Sequence, residues 1–387
     1  MREYTLYLLW MSYYSGKMHA YLRYKEIPHR AVEPHWWQLA SEIYPNTGFM
    51  KVPTVRTPEG RWLQDSTPMI DWFEQRYPAG AVLPDDPAQA FLCRLLEDYA
   101  DEWLWRPAMH YRWSYPGDAD STSFRFVHSF LKMPAPKWML ARDARRRQKA
   151  LFVDQDGVDR DTRDHVEGIY LRNLQWLEAI FRRRPFLLGD KPCLADFGFF
   201  ASMFRHFSQD PTPSVIMQMR APAVFEWVAR LWNARHSELH GDWLAPGAMP
   251  DGWRPILQDV GAAYLPYLHA NAVAWRDGAR RFDCEIQGAR YRSLRPVQYR
   301  VWCRERLQEH YESLPEAARA TVTATLADTG CLEPLLRDGR IASNLHQGTP
   351  PLCAPIEVGL LQKLRLFAIG TPWDPPRRAL AREARAG

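Results

Sequence analysis

The chain has 387 residues, too many for one ordinary core, so two or three domains are expected. Its 50 Lys and Arg stand against 45 Asp and Glu, and the resulting formal charge of +5 gives no electrostatic reason for a nucleic-acid partner. No apolar run approaches membrane-spanning length, and the six cysteines lie far apart with no Cys-x-x-Cys spacing, which points to unpaired thiols in a reducing cytoplasm and no membrane association.

The first eighty residues alternate strand and helix signals. The apolar run from Tyr4 to Trp10 reads as a buried strand rather than a signal peptide, because no small-residue cleavage site follows it. Ser15 to Lys25 has helical spacing with Met18, Tyr21 and Leu22 on one face, and Pro28 ends it. His29 to Pro34 is then a second strand, parallel to the first across the helical crossover. Thr54 to Thr57 and Arg61 to Gln64 flank the turn sequence Pro58-Glu59-Gly60, and Ser66 to Tyr77 reads as a helix.

A Pro/Gly/Asp-rich connector from Tyr77 to Pro87 marks the first boundary, so residues 1–80 form an α/β domain. An all-helical domain is expected over 88–245. Ala88 to Tyr111 is read as one long helix, Phe124 to Lys149 as helical on both sides of Pro134 and Pro136, and Asp161 to Arg183 as another helix. Asp196 is placed to return to the helix start at Cys193 as in a capping box, with Cys where Ser or Thr is usual. A mostly helical extension over 250–372 carries a hairpin around Gln287-Gly288 and two helices opened by Pro296 and Pro315, ahead of a disordered tail over 373–387.

Two stretches carry chemistry. Val52-Pro53 enters an extended run through a residue with no backbone donor, which places Pro53 at a strand start or edge and leaves Val52 to pair with an extended ligand. Asp65 can take an ammonium group, and Ser66, at a helix start, a carboxylate. The loop after the first strand offers Ser12 just before a helix, with Tyr14 and Ser15 as further hydroxyls. A thiol bound there meets a hydroxyl and the positive end of a helix dipole. Lowering a thiol pKa from ~8.5 by about two units takes about 2.7 kcal/mol. One hydrogen bond to a charged group supplies roughly 1.5 to 3 kcal/mol and a helix terminus about 0.3 to 1 more, so no buried general base is needed.

In order along the chain, Ser12-Tyr13-Tyr14 with Lys17, Lys51-Val52-Pro53, Asp65-Ser66 and Gly189 to Asp196 resemble the cytosolic glutathione transferase family in its serine-type form, over about residues 1 to 244. The resemblance implies a thioredoxin-like N-terminal domain with a mixed four-stranded sheet, a helical-bundle second domain, and beyond them a small α+β extension that the family fold lacks. It implies that Ser12 is catalytic, stabilising the glutathione thiolate, and that Lys51, Val52, Pro53, Asp65 and Ser66 bind the tripeptide, with Pro53 in a cis peptide and Asp65 in place of the commoner Glu. A hydrophobic electrophilic acceptor is the implied second substrate. Its pocket is expected at Tyr14, Trp103, Tyr111 and Trp113. Glutathione is then a co-substrate, no metal is needed, and the protein is a homodimer.

A non-catalytic scaffold with the same fold is the alternative. In a third reading the aromatic extension, with Tyr264, Tyr267, Trp275 and Trp302, covers the pocket and restricts the acceptor. His236 and His240 are read as surface residues, and Cys93 and Cys193 as small buried apolar groups.

Overall fold

The structure is a computed structural model in which residues 3–128, 135–247, 249–345 and 351–363 are described. The expected tail over 373–387 and Pro134 lie outside these residues.

The N-terminal domain is built around a four-stranded mixed sheet. β1 (Tyr4–Tyr7) leads through α1 (Tyr13–Tyr24) to β2 (His29–Val32), which pairs parallel to it with Tyr4 opposite His29. Two short helices, α2 (Trp36–Gln38) and α3 (Tyr44–Thr47), are joined by a wider turn over Leu39–Ile43. Then follow β3 (Thr54–Arg56), antiparallel to β1 with Leu6 opposite Val55, and β4 (Trp62–Gln64), antiparallel to β3. The order β2-β1-β3-β4 leaves β4 at an edge, and α4 (Ser66–Glu74) closes the domain. Leu6, Val55, Leu63, Met69, Ile70 and Phe73 are fully buried, so the apolar faces of sheet and helices form one core.

The helical domain begins with α5 (Pro87–Glu102) and α6 (Trp105–Ser114). The single helix expected from Ala88 to Tyr111 is therefore broken. Pro107 gives the physical reason: it has no N–H to donate one turn back, and its ring would clash with the carbonyl of Trp103. There follow α7 (Pro116–Phe126), α8 (Lys137–Phe152), α9 (Arg163–Phe181), α10 (Leu194–Ser202), α11 (Pro211–Arg220) and α12 (Pro222–Asn233). α10 lies against both α5 and α1. Gly198 permits that approach, since a Cβ there would sit 2.8 Å from the Glu97 Cα. At the start of α10 the Asp196 carboxylate accepts from the amides of Cys193 and Leu187 at 2.9 and 3.0 Å and from the Trp227 indole at 3.1 Å.

The C-terminal region adds α13 (Arg254–Asp259), α14 (Leu265–Arg276), the hairpin β5 (Phe282–Ile286) and β6 (Ala289–Leu294), α15 (Gln298–Glu312), α16 (Glu316–Asp328) and α17 (Leu332–Leu336). It shares its core with the helical domain: Trp253, Tyr264, Leu268 and Leu326 belong to the same buried cluster as Tyr99 and Trp103. It also reaches the N-terminal sheet, where Leu352 bridges Leu63 in antiparallel register. The Gln64 amide donates to the Pro351 carbonyl at 3.0 Å and the Cys353 amide to the Trp62 carbonyl at 2.9 Å, so the chain's last described segment covers the edge at β4. Among the described residues no helix is long and apolar enough to cross a membrane.

Candidate active site

Three loops at one end of the N-terminal sheet line a cavity of about 600 Å³. The first joins β1 to α1. Ser12 is the residue before α1, in an extended conformation, and its Oγ accepts the Ser15 amide at 3.5 Å, a long contact that leaves the hydroxyl proton able to turn toward the cavity. The Ser15 hydroxyl is buried and accepts from the Leu9 amide at 3.3 Å, so it braces the loop from behind. The second loop brings Lys51 and Val52 to the cavity, with Val52-Pro53 in a cis peptide ahead of β3. Thr54 Oγ1 and Gln64 Nε2 both donate to the Lys51 carbonyl, fixing the loop against the sheet.

The third loop is the turn from β4 into α4. Asp65 has φ +78° and ψ 112°, a backbone conformation that costs a non-glycine residue on the order of 1–3 kcal/mol. That turn brings Asp65 to the cavity and starts α4 at Ser66, whose position in the first turn sits at the positive end of the helix. The Asp65 Oδ1 accepts a hydrogen bond of 2.9 Å from the Tyr299 hydroxyl on α15, a contact that no local pattern in the sequence announces.

The opposite wall comes from the helical domain. Trp105, Met109, Trp113 and Phe152 line it, and Tyr14 of α1 stacks on Trp105 with ring centroids 5.7 Å apart. Of the four residues expected in the acceptor pocket, the structure brings Tyr14 and Trp113 to the cavity and leaves Trp103 and Tyr111 away from it. Trp103 is fully buried against Tyr264 and Tyr267, with the Arg106 guanidinium over its ring at 4.7 Å. Tyr111 packs on Tyr115, Tyr170 and Phe207. Trp103 still continues α5, with its amide on the Tyr99 carbonyl, and is buried because Tyr264 and Tyr267 of the C-terminal region pack on it, whereas Tyr111 follows the break before α6; Trp105 is the cavity residue that helical spacing missed. Pro107 was the signal that could have found it.

Tyr14 is committed elsewhere as a donor. Its hydroxyl lies 3.0 Å from Glu102 Oε1, and burial followed by the Glu102 charge raises its pKa well above the usual phenol range. The far end of the cavity belongs to the C-terminal region, where Arg295, Gln298, Tyr299 and Arg300 face it. Arg300 is buried and donates to Asp156 Oδ1 at 2.8 Å and Glu102 Oε2 at 3.2 Å. Burial works against ionisation of both acids, yet Arg300 and Arg106 hold Asp156 below the usual carboxylate range, while Glu102 stays above it. Lys17 of the first-loop motif does not reach the cavity: it is fully buried and bonded to Glu97, Asp101 and Thr67. His236 pairs with Glu26 at 3.3 Å, and no group of three metal-ligating side chains occurs among the described residues.

Two parts of the chain match known family models. Residues 6–81 match the family model described as glutathione S-transferase, N-terminal domain, and residues 141–234 match that described as glutathione S-transferase, C-terminal domain. No curated protein matches the chain. Among solved structures, the chain is similar to a glutathione S-transferase from Rhodospirillum rubrum at 17% identity, over 66% of this chain and 91% of that one, with a TM-score of 0.40. It is similar to a beta-etherase from Sphingobium sp. at 18% identity, over 60% and 95%, with a TM-score of 0.43. A glutathione S-transferase from Methylobacterium radiotolerans in complex with glutathione sulfonate shares 20% identity over 64% and 100%, with a TM-score of 0.38. Two stretches of the chain thus match, in this order, the N-terminal and C-terminal domain models of glutathione S-transferases.

Proposed function

We propose that the protein is a glutathione transferase that stabilises the glutathione thiolate and joins it to, or exchanges it on, a hydrophobic electrophilic acceptor. The observation that carries this reading is the convergence of Ser12, Lys51, Val52, Pro53, Asp65 and Ser66 on one cavity that faces the rings of Tyr14, Trp105 and Trp113. Polar anchors for a charged tripeptide thus share a chamber with an apolar wall.

In this reading Ser12 donates to the sulfur at the start of α1, and hydroxyl and helix end together favour the thiolate. Val52 supplies backbone groups to the cysteinyl unit and Lys51 charge to the glycyl end. Asp65 and Ser66 hold the γ-glutamyl ammonium and carboxylate. Because Tyr14 already donates to Glu102 and Ser15 lies behind the loop, Ser12 is the hydroxyl best placed for the thiol. The acceptor rests on Tyr14, Trp105 and Trp113, and Trp105 takes the place first given to Trp103 and Tyr111. The family resemblance further suggests a homodimer, and six unpaired thiols suit a reducing cytoplasm.

Replacing Ser12 tests the assignment. Ser12→Ala is expected to lower kcat with a model aryl electrophile by about 10- to 100-fold, the worth of one hydrogen bond to a charged group, while glutathione binding weakens much less. Equal turnover in the variant would remove Ser12 from the mechanism. Failure of the wild type to bind glutathione in a thermal-shift assay would favour the scaffold instead.

A further inference from the structure

The cavity holds a polar side chain that the family's domains do not supply. Tyr299 lies in the first turn of α15, beyond both matched domains, and lines the cavity beside Asp65 and Ser66. Its placement is fixed on both sides. Just before α15, the Asn271 side chain donates to the Val297 carbonyl at 2.9 Å and accepts the Val297 amide at 2.8 Å. On either side of Tyr299, Gln298 donates to the Ser343 carbonyl at 2.8 Å and Arg300 is held by Asp156 and Glu102. One turn of helix thereby spans the chamber, with Tyr299 reaching the N-terminal domain and Arg300 the helical domain.

The Tyr299 hydroxyl gives its single proton to Asp65 Oδ1 at 2.9 Å. Burial, reinforced by the Asp65 charge, raises the phenol pKa well above its ordinary value, so the proton stays on the tyrosine at any working pH. A phenol that has donated still accepts through its oxygen lone pairs. Beside a carboxylate, that oxygen forms a second acceptor for a cation carrying several N–H donors, as a primary ammonium does.

We propose that Tyr299 is a binding residue of the thiol site, holding the Asp65 carboxylate in place and accepting a hydrogen bond from the α-ammonium of the γ-glutamyl unit. The C-terminal region then completes the tripeptide site as well as closing the chamber. This inference rests on the glutathione reading of the cavity.

The test uses the full chain, with Tyr299→Phe, which keeps the ring and removes only the hydroxyl. Calorimetric titration compares glutathione with its deamino analogue, glutaryl-cysteinyl-glycine, which lacks only the ammonium. The variant should bind glutathione roughly tenfold more weakly than the wild type, the effect of losing one hydrogen bond to a charged group. Wild type and variant should bind the deamino analogue equally. An unchanged affinity for glutathione, or an equal loss for both ligands, would overturn the proposal. Tighter glutathione binding by the variant would also overturn it, because the hydroxyl would then be blocking the ammonium's place. A wild type that binds glutathione while Tyr299→Phe matches it refutes this inference alone, whereas a wild type that binds no glutathione refutes the functional reading and this inference with it.

Discussion

The guanidinium of Arg112 on α6 donates to the carbonyl of Met11 at 2.8 Å, so a side chain of the helical domain holds the loop that carries Ser12. Arg112 is itself locked by Asp210, through Nε at 2.7 Å and Nη2 at 3.1 Å, and both residues are buried. The hydroxyl assigned to the thiolate is thus positioned from both sides of the domain boundary.

Arg112→Ala leaves the Asp210 charge buried beside the partly exposed Arg125. Breaking a buried pair from one side costs about 3–5 kcal/mol, and Arg125 should keep the loss at the lower end of that range. Urea unfolding measures it. Double replacement with Asp210→Asn should recover part of the stability, and kcat should stay depressed because the Met11 contact is still missing.

Lys17 gives a second buried centre with a structural rather than chemical role. Burial opposes its charge, but Asp101 and Glu97 outweigh that and raise its pKa. Lys17→Met would strand two carboxylates and cost about 3–5 kcal/mol at neutral pH. The loss should shrink as pH falls and the Asp101 carboxyl, raised by burial, takes up a proton, and Lys17→Met combined with Glu97→Gln and Asp101→Asn should restore much of it. A loss that does not change with pH would mean that packing, not charge, is at stake.

The rings of the helical domain divide into two groups with different readouts. Trp113→Ala and Trp105→Ala should raise KM for an aromatic acceptor several-fold with little change in glutathione affinity, since both line the cavity. Trp103→Ala should instead cost about 3–5 kcal/mol in stability by opening a void in the core. Steady-state kinetics and denaturant melts of the same three variants separate the roles.

Two histidines predict the direction of acid sensitivity. Burial lowers His310 to about 4, helped by Arg94 and Arg306 against Asp71, and lowers His19 to about 3, helped by His29 and three arginines. Both stay neutral in the folded chain while the unfolded chain binds protons from about pH 6.5 downward. Their stability is therefore intact above 6.5 and is lost as pH falls toward 4, by up to about 1.4 kcal/mol per pH unit for each group. His310→Gln and His19→Gln should each flatten the fall of stability between pH 6.5 and 4.5, read from denaturant midpoints.

Much of this was legible in the sequence because it depends on local signals. Alternating apolar runs and the Pro58-Glu59-Gly60 turn located the sheet, and proline at helix starts located α15 and α16. Ser12, Val52-Pro53 and Asp65-Ser66 could be read because each sits where strand meets loop or helix. The acceptor wall was harder. Trp113 lines the cavity as expected, but Trp105 was missed because the break that Pro107 imposes changes the register after α5, and Trp103 went to the core because Tyr264 and Tyr267, from a distant part of the chain, cover it. Tyr299 was beyond sequence reading, because its partner Asp65 lies in another domain and neither residue shows a pattern that names the other. Arg300 and Arg112 were hidden for the same reason, as buried charges whose partners come from distant elements.

The bridge between Leu63 and Leu352 also governs how the protein is made. A ribosome extends the chain at about 5–20 residues per second, so the edge of the sheet waits on the order of tens of seconds for the segment that covers it. During that interval the nascent N-terminal domain has a bare strand beside an unfinished cavity. Synthesis of the C-terminal segment thus marks the moment when the domain loses its sticky border.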